Sequence, residues 1–82
     1  MEIDAELDAR GLLCPLPVLK ARKRLGALPP GALLRVLADD PAALIDFPHF
    51  CAEQGHELLS IDEIAPPCCA YLLRKGAGRG AG

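Results

Sequence analysis

The sequence predicts an α/β fold, a two-layer α/β sandwich with the element order β-α-β-α-β-β. In this fold a four-stranded mixed sheet carries two helices on one face. Three observations predict it: a length of 82 residues, which suits one small domain, alternating strand-like and helix-like periodicity in the first part of the chain, and two strand-like segments at its end. With 51% hydrophobic and 4% aromatic residues, we expect a folded chain with an aliphatic core.

The first strand and the first helix follow from spacing. Residues 2–8 alternate strictly between polar and apolar side chains, which predicts a half-buried strand with Ile3 facing inward. A helix is expected to begin at Pro15, because proline fits the first helical position, where the missing N–H would have no partner. It is expected to end at Gly26 and the Pro-Pro-Gly turn that follows.

The middle of the chain predicts a strand and a second helix. The almost continuous apolar run 33–38 is typical of a strand buried on both faces or at the centre of a mixed sheet. Asp40 is expected to cap a helix over residues 42–54. Pro48 predicts a kink there, or a short helix followed by another. Gly55 is a natural C-terminal cap.

The last part of the chain predicts an antiparallel hairpin. Residues 57–64 and 68–75 are strand-like and are joined by Ala-Pro-Pro. We expect one domain over residues 1–75 and a flexible glycine-rich tail over residues 76–82.

Charge and composition exclude several classes of protein. The net charge of -2 argues against strong nucleic-acid binding. No apolar run is long enough for a membrane span, and the acidic N-terminus does not resemble a signal peptide. We therefore expect a cytoplasmic protein whose four cysteines are reduced thiols.

One basic segment interrupts this acidic chain. Residues 14–35 contain five bases and no acid, and Lys20, Lys23 and Arg24 fall on the polar side of the first helix. These residues form either a solvated helix face or a docking surface for an acidic partner or an RNA backbone.

Cys14 is the candidate functional residue. It is expected at the N-cap of the first helix, where unpaired N–H groups and the helix dipole favour the thiolate. Pro15 and Pro17 stiffen this turn but remove two N–H donors. Since the position of a resolving thiol in Cys-x-x-Cys is held by Pro17, the motif suits a carrier better than a dithiol oxidoreductase. The alternative is a structural cysteine that packs as a small apolar side chain.

The other candidate side chains favour structural roles. We expect Cys51 to pack in the second helix, and Cys68 and Cys69 to point to opposite faces of a strand. No Cys-x₂-Cys pair exists, so neither a metal site nor a cofactor is expected. His49 and His56 are candidate acid–base groups, but His56, just after Gly55, is better placed to face the negative end of a helix.

The segment around Cys14 resembles a known signature. Residues 7–17, Leu-Asp-Ala-Arg-Gly-Leu-Leu-Cys-Pro-Leu-Pro, are similar to the Leu-Asp-x-x-Gly-x-x-Cys-Pro-x-Pro pattern of the TusA/SirA-like sulfur carriers. The resemblance extends over residues ~3–76. It implies the same two-layer sandwich, with Cys14 as the sulfur-carrying residue and Gly11, Pro15 and Pro17 shaping its loop.

The resemblance also implies partners. The cysteine of this family accepts sulfane sulfur as a persulfide from a cysteine desulfurase or a rhodanese-like donor. It passes the sulfur to an acceptor protein, towards tRNA 2-thiouridine or other sulfur metabolism. Lys20, Lys23 and Arg24 are the expected partner-docking face. Two alternatives stay open: an interaction module that does not need Cys14, and a redox sensor that pairs Cys14 with Cys68 or Cys69.

Overall fold

The computed structural model describes residues 2–77 and confirms the predicted element order. The six elements are β1 (Ala5–Asp8), α1 (Leu16–Gly26), β2 (Leu33–Ala38), α2 (Ala43–Gln54), β3 (Glu57–Ala65) and β4 (Cys68–Arg74). The strands form one sheet in the order β1-β2-β4-β3. β1 and β2 are parallel and the other pairs are antiparallel, so the sheet is mixed, as predicted. Most of the predicted tail, residues 78–82, lies outside the described residues.

β2 is a central strand of this sheet, which confirms the interpretation of its apolar run. It is paired on both sides, and Val36 lies between Leu7 of β1 and Tyr71 of β4. Leu34 and Val36 are completely buried. Arg35 and Leu37 are only half-buried, so β2 is central through its pairing on both edges and is not buried on both faces.

The core lies between the sheet and the two helices. Leu34 and Leu73 are paired across the sheet and share one buried cluster with Leu25 of α1 and Phe47 of α2. The rings of Phe47 and Tyr71 stack with centroids 4.6 Å apart. Burying each large apolar side chain contributes roughly 1.5–3 kcal/mol. The helices are therefore held to the sheet mainly by this cluster.

β1 is shorter than predicted, and Ile3 does not face inward as expected. Ile3 is 41% exposed, and the strand begins at Ala5. The cause lies in Asp4, whose carboxylate Oδ2 accepts the backbone N–H of Leu33 at 2.8 Å. A side chain thus takes the place of a backbone acceptor at the start of the parallel pair.

α1 begins without a side-chain cap, whereas its end is stabilised by a contact from outside the helix. The helix begins at Leu16, one residue later than predicted, and Pro15 occupies the N-cap position. At the other end, Lys75 Nζ donates to the carbonyl oxygens of Leu25 at 2.7 Å and Leu28 at 2.9 Å. Terminal carbonyls of a helix lack intrahelical partners, so this amine, 50 residues away from Leu25 in the chain, stabilises the helix end.

α2 runs through Pro48 as one helix of 12 residues, so of the two predicted alternatives, a kink or two separate helices, the second is wrong. Proline removes one helical N–H donor. The helix is kept because Phe47 and Phe50, on either side of Pro48, are both buried in the core. Gly55 ends the helix with a left-handed φ of 76°, as predicted.

The predicted antiparallel hairpin is confirmed, with Pro66 and Pro67 at the turn between β3 and β4. β3 is an edge strand, and its register shifts between Leu58 and Ser60 and again between Glu63 and Ala65. Such irregularities are common at sheet edges, where they disfavour pairing with another chain.

Candidate functional site

Cys14 lies in the connection between β1 and α1, at the edge where the parallel strands β1 and β2 end. Gly11 in this connection has a φ of 81°, a conformation that other residues rarely adopt. Its backbone N–H points at the Asp39 carboxylate, with distances of 3.0 Å to Oδ1 and 3.2 Å to Oδ2. Because the carboxyl ends of parallel strands meet, the segment after β2 holds the thiol loop in place.

An ion pair between Arg10 and Asp8 lies at the start of this loop. Arg10 donates to both carboxylate oxygens of Asp8 at 2.9 Å, through Nε and Nη2. The guanidinium lowers the pKa of Asp8 to about 2. A bidentate pair of this kind fixes the direction of the chain as it leaves β1.

Asp40 connects the thiol loop to α2. Its Oδ2 accepts the backbone N–H of Cys14 at 2.6 Å, and its Oδ1 accepts that of Ala42 at 3.0 Å. These two backbone donors lower the pKa of the Asp40 carboxyl, because both favour its ionised form. α2 begins at Ala43, one residue later than predicted, and Ala42 instead of Asp40 occupies its N-cap position. Asp40 still accepts an N–H just before the helix, and its second contact positions Cys14.

The Cys14 thiol is exposed and donates a hydrogen bond to Asp46 Oδ2, with Sγ and Oδ2 2.7 Å apart. This bond raises the pKa of Cys14, and partial desolvation and the charges of Asp46 and Asp40 act in the same direction. A hydrogen bond from the neutral form and nearby negative charge both disfavour ionisation. The site therefore favours the neutral thiol.

This result corrects the expectation that the N-terminus of α1 activates Cys14 as a thiolate. The N-cap residue is Pro15, and no side chain caps the helix. The sulfur faces the carboxylate of Asp46 in α2 instead of the N–H groups of α1. Local spacing could not reveal this contact, because Cys14 and Asp46 are 32 residues apart in the chain.

The three residues expected to shape the loop all lie in it or in the first turn of α1. Gly11 supplies the positive φ, and the peptide bond between Cys14 and Pro15 is cis. Pro17 is fully buried beneath the first turn of the helix. Pro15 is exposed beside the thiol.

The predicted docking residues Lys20, Lys23 and Arg24 are all exposed on α1. Arg24 Nη2 also donates to the carbonyl oxygen of Glu6 in β1, at 3.1 Å. Lys23 and Arg24 lie in the last turn of the helix, where basic side chains interact favourably with its dipole. These two residues thus have a structural role in addition to any docking role.

The other cysteines are buried free thiols. Cys51 belongs to the core cluster, and burial raises its pKa to about 11. Cys69 also belongs to that cluster, while the neighbouring Cys68 points to the other face of the sheet. Within residues 2–77, no group of three or more His, Cys, Asp or Glu side chains is arranged to hold a metal ion.

Neither histidine forms a hydrogen bond or an ion pair with Cys14 among the described residues; each contacts a different residue. His49 is exposed and lies 3.4 Å from Glu53, one turn further along α2. His56 Nδ1 accepts the backbone N–H of Gly76 at 2.9 Å. Burial and the charge of Lys75 lower the pKa of His56. His56 therefore serves as a neutral acceptor that holds the end of the described chain.

Exposed apolar side chains next to the site were missed by the sequence analysis. Five large ones lie in the thiol loop and in the first turns of the two helices: Leu13, Leu16, Leu19, Leu44 and Ile45. Leu13, beside Cys14, is 71% exposed, and Ile45, beside Asp46, is 75% exposed. A cluster of this kind is typical of a surface that contacts another protein.

Within the described part of the chain, neither helix is both long and apolar enough to cross a membrane. Fold and site together define a small α/β domain that presents one accessible thiol between the N-terminal ends of two helices. The family model described as Sulfurtransferase TusA matches residues 5–75. The chain therefore belongs to the TusA family, which confirms the resemblance seen in the sequence.

Individual relatives agree with this membership. The sulfur carrier protein TusA of Pseudomonas syringae pv. syringae (strain B728a) is 48% identical over 75 residues, which cover 92% of this chain and 88% of the relative. The sulfur carrier protein TusA of Allochromatium vinosum is 47% identical over 62 residues, or 76% of this chain and 82% of the relative. The crystal structure of a SirA-like protein from Desulfitobacterium hafniense superposes with a TM-score of 0.78 at 25% identity. It covers 88% of this chain and 97% of that chain.

Proposed function

We propose that this protein is a sulfur carrier that holds sulfane sulfur as a persulfide on Cys14 and relays it to an acceptor protein. The observation that carries the proposal is that Cys14 is the exposed thiol among four cysteines. The curated relatives named as sulfur carrier proteins support the same role. We further propose that residues 1–75 form the carrier domain.

The proposed chemistry is an exchange between sulfur atoms. The Cys14 sulfur attacks the terminal sulfur of a donor persulfide, so that a new S–S bond forms at Cys14 and the donor S–S bond breaks. The donor leaves as a thiolate and takes up the proton that Cys14 loses. Nothing is oxidised or reduced overall. An acceptor thiolate then repeats the exchange on the Cys14 persulfide and regenerates the Cys14 thiol.

The partners we propose are proteins. A cysteine desulfurase or a rhodanese-like protein is the proposed donor, and the acceptor is a further relay protein in the cytoplasm, towards tRNA 2-thiouridine or other sulfur metabolism. The exposed apolar side chains around Cys14 support docking of a protein surface. Lys20, Lys23 and Arg24 are the proposed charged part of that interface. The net charge of -2 argues against strong binding to nucleic acid.

A redox sensor that pairs Cys14 with another cysteine is disfavoured by burial. Such a sensor needs a second accessible thiol, and Cys51, Cys68 and Cys69 are all buried. The low exposure of these side chains also supports Cys14 as the one cysteine that loads sulfur.

The test is intact-mass spectrometry without reductant, after incubation with a cysteine desulfurase and cysteine, or with a rhodanese-like donor and thiosulfate. We expect the wild-type protein to gain the mass of one sulfur atom, which a reductant removes. Cys14→Ser should gain none, and Cys68→Ser, the matched control, should load like the wild type. Loading of Cys14→Ser, or no loading of the wild type by either donor, would contradict the proposal.

A further inference from the structure

The Cys14 thiol donates a hydrogen bond to Asp46, an acidic residue that has no role in the proposed sulfur exchange. Asp46 Oδ2 lies 2.7 Å from Sγ, and Asp40 Oδ2 holds the backbone N–H of the same residue at 2.6 Å. The two carboxylates come from different segments, α2 and the β2–α2 connection. A sulfur-accepting thiol is most reactive as a thiolate, so a site that places carboxylates around it requires an explanation.

We propose that Asp46 is a positioning residue that keeps Cys14 protonated in the free carrier, so that the thiol stays unreactive until a partner protein docks. The inference rests on the proposed carrier function and adds a control of its reactive group. Asp46 acts through Cys14 and contacts no sulfur donor itself.

Geometry explains how the proton is held. The S–H group donates to the carboxylate, so the bond exists only while the sulfur is protonated. Loss of the proton would leave a thiolate 2.7 Å from a carboxylate oxygen, a repulsive contact between like charges. The raised pKa of Cys14 has this bond as its largest cause and the charges of Asp46 and Asp40 as further causes.

Charge nearby does not offset the two carboxylates. Among residues 2–77, the ion pairs join Arg10 to Asp8, Arg35 to Glu6, His49 to Glu53 and Arg74 to Glu57. Neither Asp40 nor Asp46 takes part in one. The first turn of α1, which follows Cys14 directly, contains no charged side chain. Among residues 2–77, no ion pair therefore neutralises either carboxylate beside the Cys14 thiol.

The surroundings of the pair connect this control to docking. Leu13 and Ile45, the neighbours of Cys14 and Asp46 in the chain, are among the most exposed apolar side chains described. A protein that covers them also covers the Asp46 carboxylate. If that protein brings a Lys or Arg side chain to Asp46, it removes the like charge that opposes ionisation. The Cys14 thiol can then ionise when a sulfur donor is in place.

The experiment measures the proton on Cys14 without any sulfur donor. The full-length protein is treated with iodoacetamide over a range of pH values and is then digested with trypsin. Cleavage after Arg10 and Lys20 yields the peptide of residues 11–20, which contains Cys14 as its one cysteine. The rate of alkylation of this peptide against pH gives the midpoint for ionisation of the thiol, because only the thiolate reacts.

We expect Asp46→Asn to move this midpoint to lower pH. Alkylation at neutral pH should rise about tenfold for a shift of about one unit. Asp46→Glu, which keeps the charge, should restore part of the wild-type midpoint. Glu53→Gln is the matched control, since it removes the same charge from the far end of α2. An unchanged midpoint in Asp46→Asn, with a wild-type thermal melt, would overturn the proposal.

A second experiment compares the wild-type protein with a peptide, so it does not depend on a substituted protein that folds. The synthetic peptide of residues 11–20 carries the same thiol without Asp46 or Asp40. The midpoint in the folded wild-type protein should lie at higher pH than in the peptide, and a midpoint equal to or below that of the peptide would also overturn the proposal. Failure of sulfur loading in the mass experiment, with the midpoint raised, would instead count against the carrier function alone.

Discussion

Asp40 is the residue on which two parts of the site depend. Its two carboxylate oxygens hold backbone N–H groups in the thiol loop and at the start of α2. The sequence analysis expected Asp40 to contact the helix start, because Asp before Pro is a local pattern there, but it placed the N-cap at Asp40 instead of Ala42. It did not predict the first contact, which joins residues 26 apart. The contact between Asp46 and the Cys14 thiol was not predicted either. Both contacts were missed because a local sequence pattern does not show which distant segments the fold brings together.

The lowered pKa of Asp40 predicts how stability depends on pH. A carboxyl with a lowered pKa in the folded protein stabilises it above the ordinary carboxyl pKa, and this contribution is lost as the pH falls through the folded-state value. The wild-type protein should therefore lose more stability in acid than Asp40→Asn does. Urea unfolding at neutral and acidic pH measures the difference.

Asp62→Asn is the matched control for this experiment, because Asp62 belongs to the edge strand β3, away from the thiol loop. It should follow the pH dependence of the wild-type protein. An Asp40→Asn variant with the same acid dependence as the wild type would show that the two backbone contacts of Asp40 do not stabilise the fold.

The order and type of all six elements could be predicted from periodicity, because each pattern is contained within its own segment. The bounds were less predictable. Asp4 shortens β1 by accepting an N–H from another strand, and the core packing of Phe47 and Phe50 keeps α2 whole through Pro48. In both cases a tertiary contact outweighs the local preference.

The junction between α2 and the end of β4 is another feature that no local pattern shows. A β-carbon on Gly76 would lie 1.8 Å from the carbonyl oxygen of Gly55, whereas a β-carbon on Gly26 would meet no atom within 4 Å. Gly76→Ala must therefore displace the backbone near His56, which accepts the N–H of Gly76.

We expect Gly76→Ala to lower the melting temperature and Gly26→Ala, the matched control, to leave it unchanged or raise it. Alanine is favoured over glycine in a helix by roughly 0.8–1.0 kcal/mol. Thermal unfolding followed by circular dichroism measures both variants. Equal melting temperatures for Gly76→Ala and the wild type would show that the junction adjusts without cost.

The molecule as a whole depends on a single layer of packing between sheet and helices. Phe47 is completely buried and stacks on Tyr71, which is 1% exposed. Only one face of the sheet is covered by helices, and on the other face a shallow hollow of about 220 Å³ is lined by Arg35, Asp62 and Leu72, among others. The stability of such a domain is low, of order 5–15 kcal/mol, so one core residue accounts for a large share.

Phe47→Ala should therefore reduce the free energy of unfolding by about 3–5 kcal/mol. Ile45→Ala, the control on the same helix, removes a side chain that is 75% exposed and should change stability by less than about 0.5 kcal/mol. Urea denaturation measures both, and Phe47→Leu serves as a milder variant if Phe47→Ala does not fold. Similar losses for Phe47 and Ile45 would contradict the assignment of the core.

The burial of three of the four cysteines has a practical consequence. At a pH high enough to ionise Cys14, a maleimide dye added to the native protein should attach at one position, next to the surface proposed for docking. Fluorescence anisotropy and energy transfer then become available without replacing any cysteine. The same chain is also suited to capture on a thiol-reactive support in a single orientation.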